Sequence, residues 1–394
     1  MKKQTQAIHL EYERRDAYDS LSVPVYNTLA YEFDNAAIMS EAFTDKIKAP
    51  DYSRVENPTV TNLERRVAAL TDAAHATAFN SGMAAISNTL MSLAAQGKNI
   101  VTSKHLFGNT YALLVATLRR FGVKVRLHDL TNIEAVREAI DDDTCCVFLE
   151  ILTNPQLEVA DLKAISEVAH EKNVPLVVDS TVIPFTQFSA KSLGVDIEVV
   201  SSSKYVSGGA TSLGGLVIDY GTPYNGDFAK RLYGEMLFNF GAYMTPQVAY
   251  MQTIGLETLD ARYRVQSSNA QELAKKLRTL PQIQYVNYVG LEDNPYHELA
   301  QRQFGKTAGA MICIDLESKE ACFNFLNNLK LIHRATNLFD NRSLAIHPAS
   351  TIFGAFSENM RRSMDVKDTT IRLSVGLEDV DDLFEDIKQA VESL

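Results

Sequence analysis

The 394-residue chain has no tryptophan, only four cysteines, few basic residues for its size and no apolar run long enough to span a membrane. Each shortage removes a class of function. Cys145, Cys146, Cys313 and Cys322 show no CxxC spacing, and the adjacent pair lies in the apolar stretch TCCVFL, so buried free thiols are expected rather than a disulfide framework. The eight histidines form no HExxH or similar ligand pattern, so no metal site is expected. Lysine and arginine number 38 against 49 acidic residues, a net charge of -11, and no basic run offsets that background. A nucleic-acid surface is therefore excluded, and any phosphate site must be local. The amino-terminal MKKQTQAIHLEYERR lacks the apolar core of a signal peptide, which predicts a cytoplasmic protein without membrane contact.

What is present is ordinary material for a large core: 46% hydrophobic and 22% charged residues. The length exceeds what one core usually fills, so two domains sharing a cleft are expected. Residues 1–60 read as a polar, irregular arm. From Asn62 onward, short apolar runs (ATAFNSG, NIVTS, VKVRLHD, CCVFLEIL, PLVVDS) alternate with helical patterns, which predicts an α/β domain with a mostly parallel sheet over 61–250. One long helical stretch from about Ala249 to Leu280 leads into YVNYVGL, AMICIDL, LKLIHRA and TIRLSVG, read as the strands of a smaller α+β unit over 251–394. Ligands of such a sheet belong at the carboxyl ends of its strands.

Ser201-Ser202-Ser203-Lys204-Tyr205 follows the apolar run Val195–Val200 and opens into glycines at 208, 209, 214 and 215. A lysine at the end of a buried strand loses hydration, gives up its proton more readily and becomes a nucleophile toward carbonyl groups. That suits a Schiff base to pyridoxal phosphate, with hydroxyls one and three positions earlier donating to phosphate; a surface Ser/Gly turn is the plainer reading of the segment alone. Asp179 ends PLVVD, where a buried cation such as a protonated pyridine nitrogen would suit it, although a strand-end or capping aspartate is common. Gly82 and Met83, after Asn80-Ser81, sit at a strand-to-helix turn whose amides can cup an anion, or simply form a capped helix start. In EILTNP, Asn154 can donate to the ring oxygen, and Asn-Pro is also an ordinary turn.

The ordered set YSRVENPT, NSGMAAI, EILTNP, VVDST, SSSKY, GGATSLGG, GAYMTPQ, IHPAST and IRLSVGLED resembles the cysteine and methionine metabolism branch of fold-type-I pyridoxal-phosphate enzymes over nearly the whole chain. The resemblance implies a large domain with a mostly parallel, seven-stranded type of sheet and a smaller carboxy-terminal domain. It implies that Lys204 carries the cofactor and later moves protons, that Asp179 pairs with the pyridine nitrogen and that Asn154 contacts the ring oxygen. Gly82, Met83, Ser201 and Ser203 would hold the phosphate, with Tyr52 and Arg54 reaching the phosphate of a neighbouring subunit in a dimer or a dimer of dimers. Arg372 matches the arginine that grips the substrate α-carboxylate.

GGATSLGGLVIDYG, NFGAYMTPQVAYMQTIGLETLDAR and Asn337 before Leu338 are most similar to the O-acetylhomoserine sulfhydrylase subgroup. That implies γ-replacement on O-acetyl-L-homoserine by sulfide or a thiol, yielding homocysteine or methionine. A γ-lyase, an O-succinylhomoserine sulfhydrylase and a cofactor-binding protein without catalysis are the alternatives. The chain departs from the family pattern at four places. Phe107 stands where most relatives have a tyrosine that stacks on the cofactor, Gly209 at a usual histidine, Phe339 at a usual glycine, and Ile352-Phe353 in place of Thr-His. A drier, narrower entrance would favour another thiol or a sulfur-carrier protein as the donor.

Overall fold

Alternating short apolar runs and helices build two sheets in the computed structural model, which describes residues 1–10, 16–44, 46–306 and 308–394. The larger sheet contains β1 (His75–Phe79), β2 (Asn99–Ser103), β3 (Lys124–His128), β4 (Thr144–Glu150), β5 (Leu176–Asp179), β6 (Ile197–Val200) and β7 (Gly215–Asp219). Their spatial order is β1-β7-β6-β5-β4-β2-β3. The five strands from β6 to β3 are parallel, and β7 runs antiparallel to both β6 and β1. Parallel central strands are buried on both faces, which is why β4 and β5 read as unbroken apolar runs. Their side chains alternate between two hydrophobic clusters: Val147, Leu149, Leu176 and Val178 enter one, Cys146, Phe148 and Val177 the other. The mostly parallel seven-stranded sheet agrees with the expected fold class.

The second sheet consists of β8 (Tyr285–Asn287), β9 (Met311–Asp315), β10 (His333–Arg334), β11 (Leu344–Ile346) and β12 (Thr370–Ser374). Their order is β10-β11-β12-β9-β8, antiparallel except where β10 meets β11. No helix among the described residues is long and apolar enough to cross a membrane.

Several elements differ from the reading of the sequence. The arm expected to be irregular contains α1 (Lys3–His9), which buries Ala7, and α2 (Ala36–Phe43), whose start is capped by Asn35 Oδ1 accepting from the amides of Ala37 and Ile38. Residues 11–15 and 45 of that arm lie outside the described residues. Next, α3 spans Pro58–Thr71 and starts before Asn62, because Asn57 caps the Thr59 amide and Pro58 needs no partner at the first helical position. The stretch expected as one helix from Ala249 is two, Pro246–Glu257 and Leu259–Leu277. At the break, the Arg262 guanidinium satisfies the Gly255 carbonyl and the Thr258 hydroxyl. The first of these helices packs on α3 and the second on β8, β9 and the helix Val380–Glu392. LKLIHRA pairs as a strand only at His333–Arg334, because the amides of Lys330, Leu331 and Ile332 donate instead to the Asp386 carboxylate at 2.8 to 2.9 Å.

Candidate active site

Adjacent parallel strands deliver their last residues to one cavity of about 240 Å³. Glu150 closes β4 and Asp179 closes β5, paired in register. Glu150 continues the face of Cys146 and Phe148, and Asp179 that of Val177. Both carboxylates therefore rise on the side covered by α4 (Gly82–Leu93), whose Ile86 packs in the same cluster. Ser81 caps α4 by accepting from the Ala84 amide, which leaves the amides at the helix start facing outward. A side chain on Gly82 would place its Cβ 2.6 Å from Ser201 Cβ, so only glycine lets the serine that follows β6 close the cup. The result is a hydroxyl and free amides at the positive end of a helix dipole, the arrangement a phosphate requires.

Lys204 Nζ donates to Asn337 Oδ1 at 2.6 Å. Burial, reinforced by the Arg372 charge, lowers this amine to about 8. Arg372 on β12 is 2% exposed; Nη1 donates to Asn154 Oδ1 at 3.1 Å and Nη2 to the Asn337 carbonyl at 3.3 Å. Its Nε has no partner, and no carboxylate pairs with it among the described residues. A guanidinium on the cavity wall with no carboxylate paired to it is a receptor for an anion. Because Asn154 gives its oxygen to Arg372, its amide end is the donor left for a ring oxygen.

Asp179 Oδ1 accepts from the Thr181 amide at 2.9 Å, and Thr181 Oγ1 accepts from the Ser201 amide at 2.8 Å, so one threonine ties the ring end of the cavity to the phosphate end. Burial raises the Asp179 carboxyl. Glu150 is pushed up to about 8, first by burial and then by Asp179, although it accepts from the amides of Phe107, at 2.5 Å, and Asn154. Two carboxylates at neighbouring strand ends have no cation beside them among the described residues, and a protonated pyridine nitrogen is the kind of charge that relieves them. The phosphate cup, the carboxylate pair, the lysine with a lowered proton affinity and the spare arginine donor all fit pyridoxal phosphate with an amino-acid substrate.

Of the residues expected from sequence, Gly82, Met83, Phe107, Asn154, Asp179, Ser201, Lys204 and Arg372 line this cavity, and Asn337 touches the lysine. Ser203 does not line it. Its hydroxyl donates to the Gly214 carbonyl at 3.1 Å and accepts from the Gly214 amide at 2.9 Å, so the following turn consumes it. Tyr52, 41% exposed, and Arg54, whose guanidinium lies 5.5 Å from the Tyr52 ring, are also absent from the wall. Sequence reasoning missed Glu150 and Thr181. Glu150 carries the signal that singled out Asp179, a carboxylate closing an apolar strand, and Thr181 lies within the quoted VVDST.

Comparison with known proteins agrees with this geometry. The model of the family described as Cys/Met metabolism PLP-dependent enzyme matches residues 4–392. An L-methionine gamma-lyase of Fusobacterium nucleatum subsp. polymorphum is 38% identical over 99% of this chain and 98% of its own. An O-acetyl-L-homoserine sulfhydrylase of Corynebacterium glutamicum is 32% identical over 98% and 95%. A Campylobacter jejuni crystal structure, provisionally named an O-acetylhomoserine (thiol)-lyase and containing N'-pyridoxyl-lysine-5'-monophosphate, superposes with a TM-score of 0.95 at 34% identity, covering all of both chains.

Proposed function

The chain belongs to the Cys/Met metabolism PLP-dependent enzymes, and from that premise we propose that it catalyses γ-replacement on O-acetyl-L-homoserine, exchanging acetate for sulfide or a thiol. The bound cofactor supplies an electron sink that stabilises negative charge at the substrate α carbon. Arg372 grips the α-carboxylate from the cavity wall. Lys204, its amine lowered to about 8, takes the proton from the α carbon and returns protons along the chain, with Asn337 holding Nζ between transfers. Asp179 keeps the ring nitrogen positive, Gly82, Met83 and Ser201 hold the phosphate, and Phe107 covers the ring. Tyr52 and Arg54 serve the cavity of a second copy.

The observation that carries the choice of reaction is Phe107 in the cavity wall. A side chain without a hydroxyl cannot protonate a departing group. Acetate leaves unaided as the base of an acid with pKa of about 4, whereas a thiolate, the base of a group with pKa above about 8, needs that proton. The wall therefore favours an ester substrate over methionine. Ile86, Val182, Leu338 and Ile352 give the wall an apolar portion beside its polar and charged groups, which favours a thiol or hydrosulfide over water as the incoming group. γ-Elimination is the second reading, supported by the likeness to the methionine gamma-lyase. Incubating the PLP-loaded enzyme with O-acetyl-L-homoserine, with and without sulfide, separates the two. Homocysteine formed only with sulfide is expected; α-ketobutyrate formed equally well without it would overturn the proposal.

A further inference from the structure

Phe339 occupies a backbone conformation that its own side chain penalises. Its φ is +58°, in the left-handed region that residues with a Cβ rarely enter and glycine enters freely. The ring is fully buried and lies flat on Tyr205, with centroids 4.0 Å apart and planes 8° from parallel. Tyr205 in turn meets Tyr263 edge-on at 5.2 Å. A strained conformation persists only where its surroundings repeatedly demand it, and here the demand comes from both sides of one short segment. Tyr205 directly follows Lys204. Asn337, two residues before the kink, accepts from Lys204 Nζ at 2.6 Å and gives its carbonyl to Arg372 at 3.3 Å. Between them, Leu338 lines the cavity, while the Phe339 amide donates to Ser374 Oγ at 2.7 Å, two residues beyond Arg372. The left-handed turn at 339 thus sends one residue into the wall and the next into an aromatic column standing on the lysine's neighbour.

We propose that Phe339 is a positioning residue whose stack on Tyr205 clamps the 337–339 segment to the lysine, holding Asn337 against Lys204 Nζ and fixing the carbonyl that orients Arg372. A glycine at 339 would relieve the backbone and release this clamp. The inference deepens the proposed function at the same cavity, and it rests on that reading only through the substrate used in one arm of the test.

The test compares Phe339→Leu, which keeps bulk without a ring, Phe339→Gly, which accepts the backbone angle, Tyr205→Leu, and Tyr205→Phe, which keeps the stack. For each PLP-loaded protein, the absorbance of the lysine-bound cofactor is titrated against pH, and kcat and KM are measured with O-acetyl-L-homoserine and sulfide. Loss of the clamp is expected to move the titration midpoint by about 0.5 pH and to raise KM by about tenfold with a smaller change in kcat. Tyr205→Phe is expected to behave like the parent, and Phe339→Leu combined with Tyr205→Leu to be no worse than either alone. Thermal destabilisation with an unmoved midpoint and KM in both Phe339 variants would overturn the proposal. So would multiplying effects in the double variant. The titration needs no substrate, so a parent enzyme that ignores O-acetyl-L-homoserine would sink the substrate reading and leave the clamp to be judged on the midpoint.

Discussion

At the scale of single residues, the site works through charges that burial has moved from their usual states. The Lys204 amine falls from 10.5 to about 8, so it is cationic below that pH and nucleophilic above it. Capture of added pyridoxal phosphate by apo-protein, followed by absorbance, should accelerate about tenfold per pH unit up to about 8 and then level off; a rate still climbing at pH 10 would mean an ordinary lysine. Glu150 behaves in the opposite sense. Its folded value, about 8, lies above its usual 4.5, so its contribution to apo-protein stability is complete below 4.5 and is lost as pH rises through 8. Glu150→Gln should remove that loss, so that its stability relative to the parent rises by up to about 4 kcal/mol between pH 5 and pH 8.5. Denaturant titration of both proteins at pH 5 and at pH 8.5 checks this, and a parent–variant difference that does not change between them would contradict it.

At the scale of elements, legibility follows how much of a segment's fate is decided locally. The runs CCVFLE and LVVD were readable because strands buried on both faces admit only apolar residues until the last position, where Glu150 and Asp179 break the rule at the cavity. The NSGMAAI turn was readable because capping and glycine sterics act within a few residues. By contrast, LKLIHRA has strand composition and forms almost no strand, since its amides are captured by Asp386, more than fifty residues further on. Asp386→Ala would orphan three amides and should cost about 2 to 4 kcal/mol in denaturant unfolding; a cost below about 0.5 kcal/mol would show the segment supported otherwise. Ser203 illustrates the converse. Residue type and spacing placed it at the phosphate, and a bond to Gly214 across the following turn takes it away. The left-handed Phe339 was beyond reach, because no local preference predicts an aromatic there and the reason lies in Tyr205.

At the scale of the whole molecule, the cavity is built jointly by the two sheets: Lys204 and Asp179 come from the larger, Arg372 from the smaller. The order of motifs along the chain made this partnership legible, since NSGMAAI and GAYMTPQ open helices and EILTNP and VVDST close strands of the expected type. Tyr52 and Arg54, outside the wall of their own chain, carry the proposal of a second copy into an experiment. Coexpressed Lys204→Ala and Arg54→Ala subunits, each inactive alone, should recover about half of the parent activity in mixed dimers, or about one quarter in a randomly assorted population; no recovery despite confirmed mixing would confine Arg54 to its own subunit.

A lysine of lowered basicity stands in this cavity beside Phe107, a ring with no hydroxyl to protonate a leaving group. The most direct test of the proposed reaction is the ratio of kcat/KM for O-acetyl-L-homoserine with sulfide to that for L-methionine, measured on the same PLP-loaded preparation. A ratio of about 100 or more in favour of the ester is predicted. Methionine consumed as efficiently as the ester would contradict the assignment and place the chain with the γ-lyases.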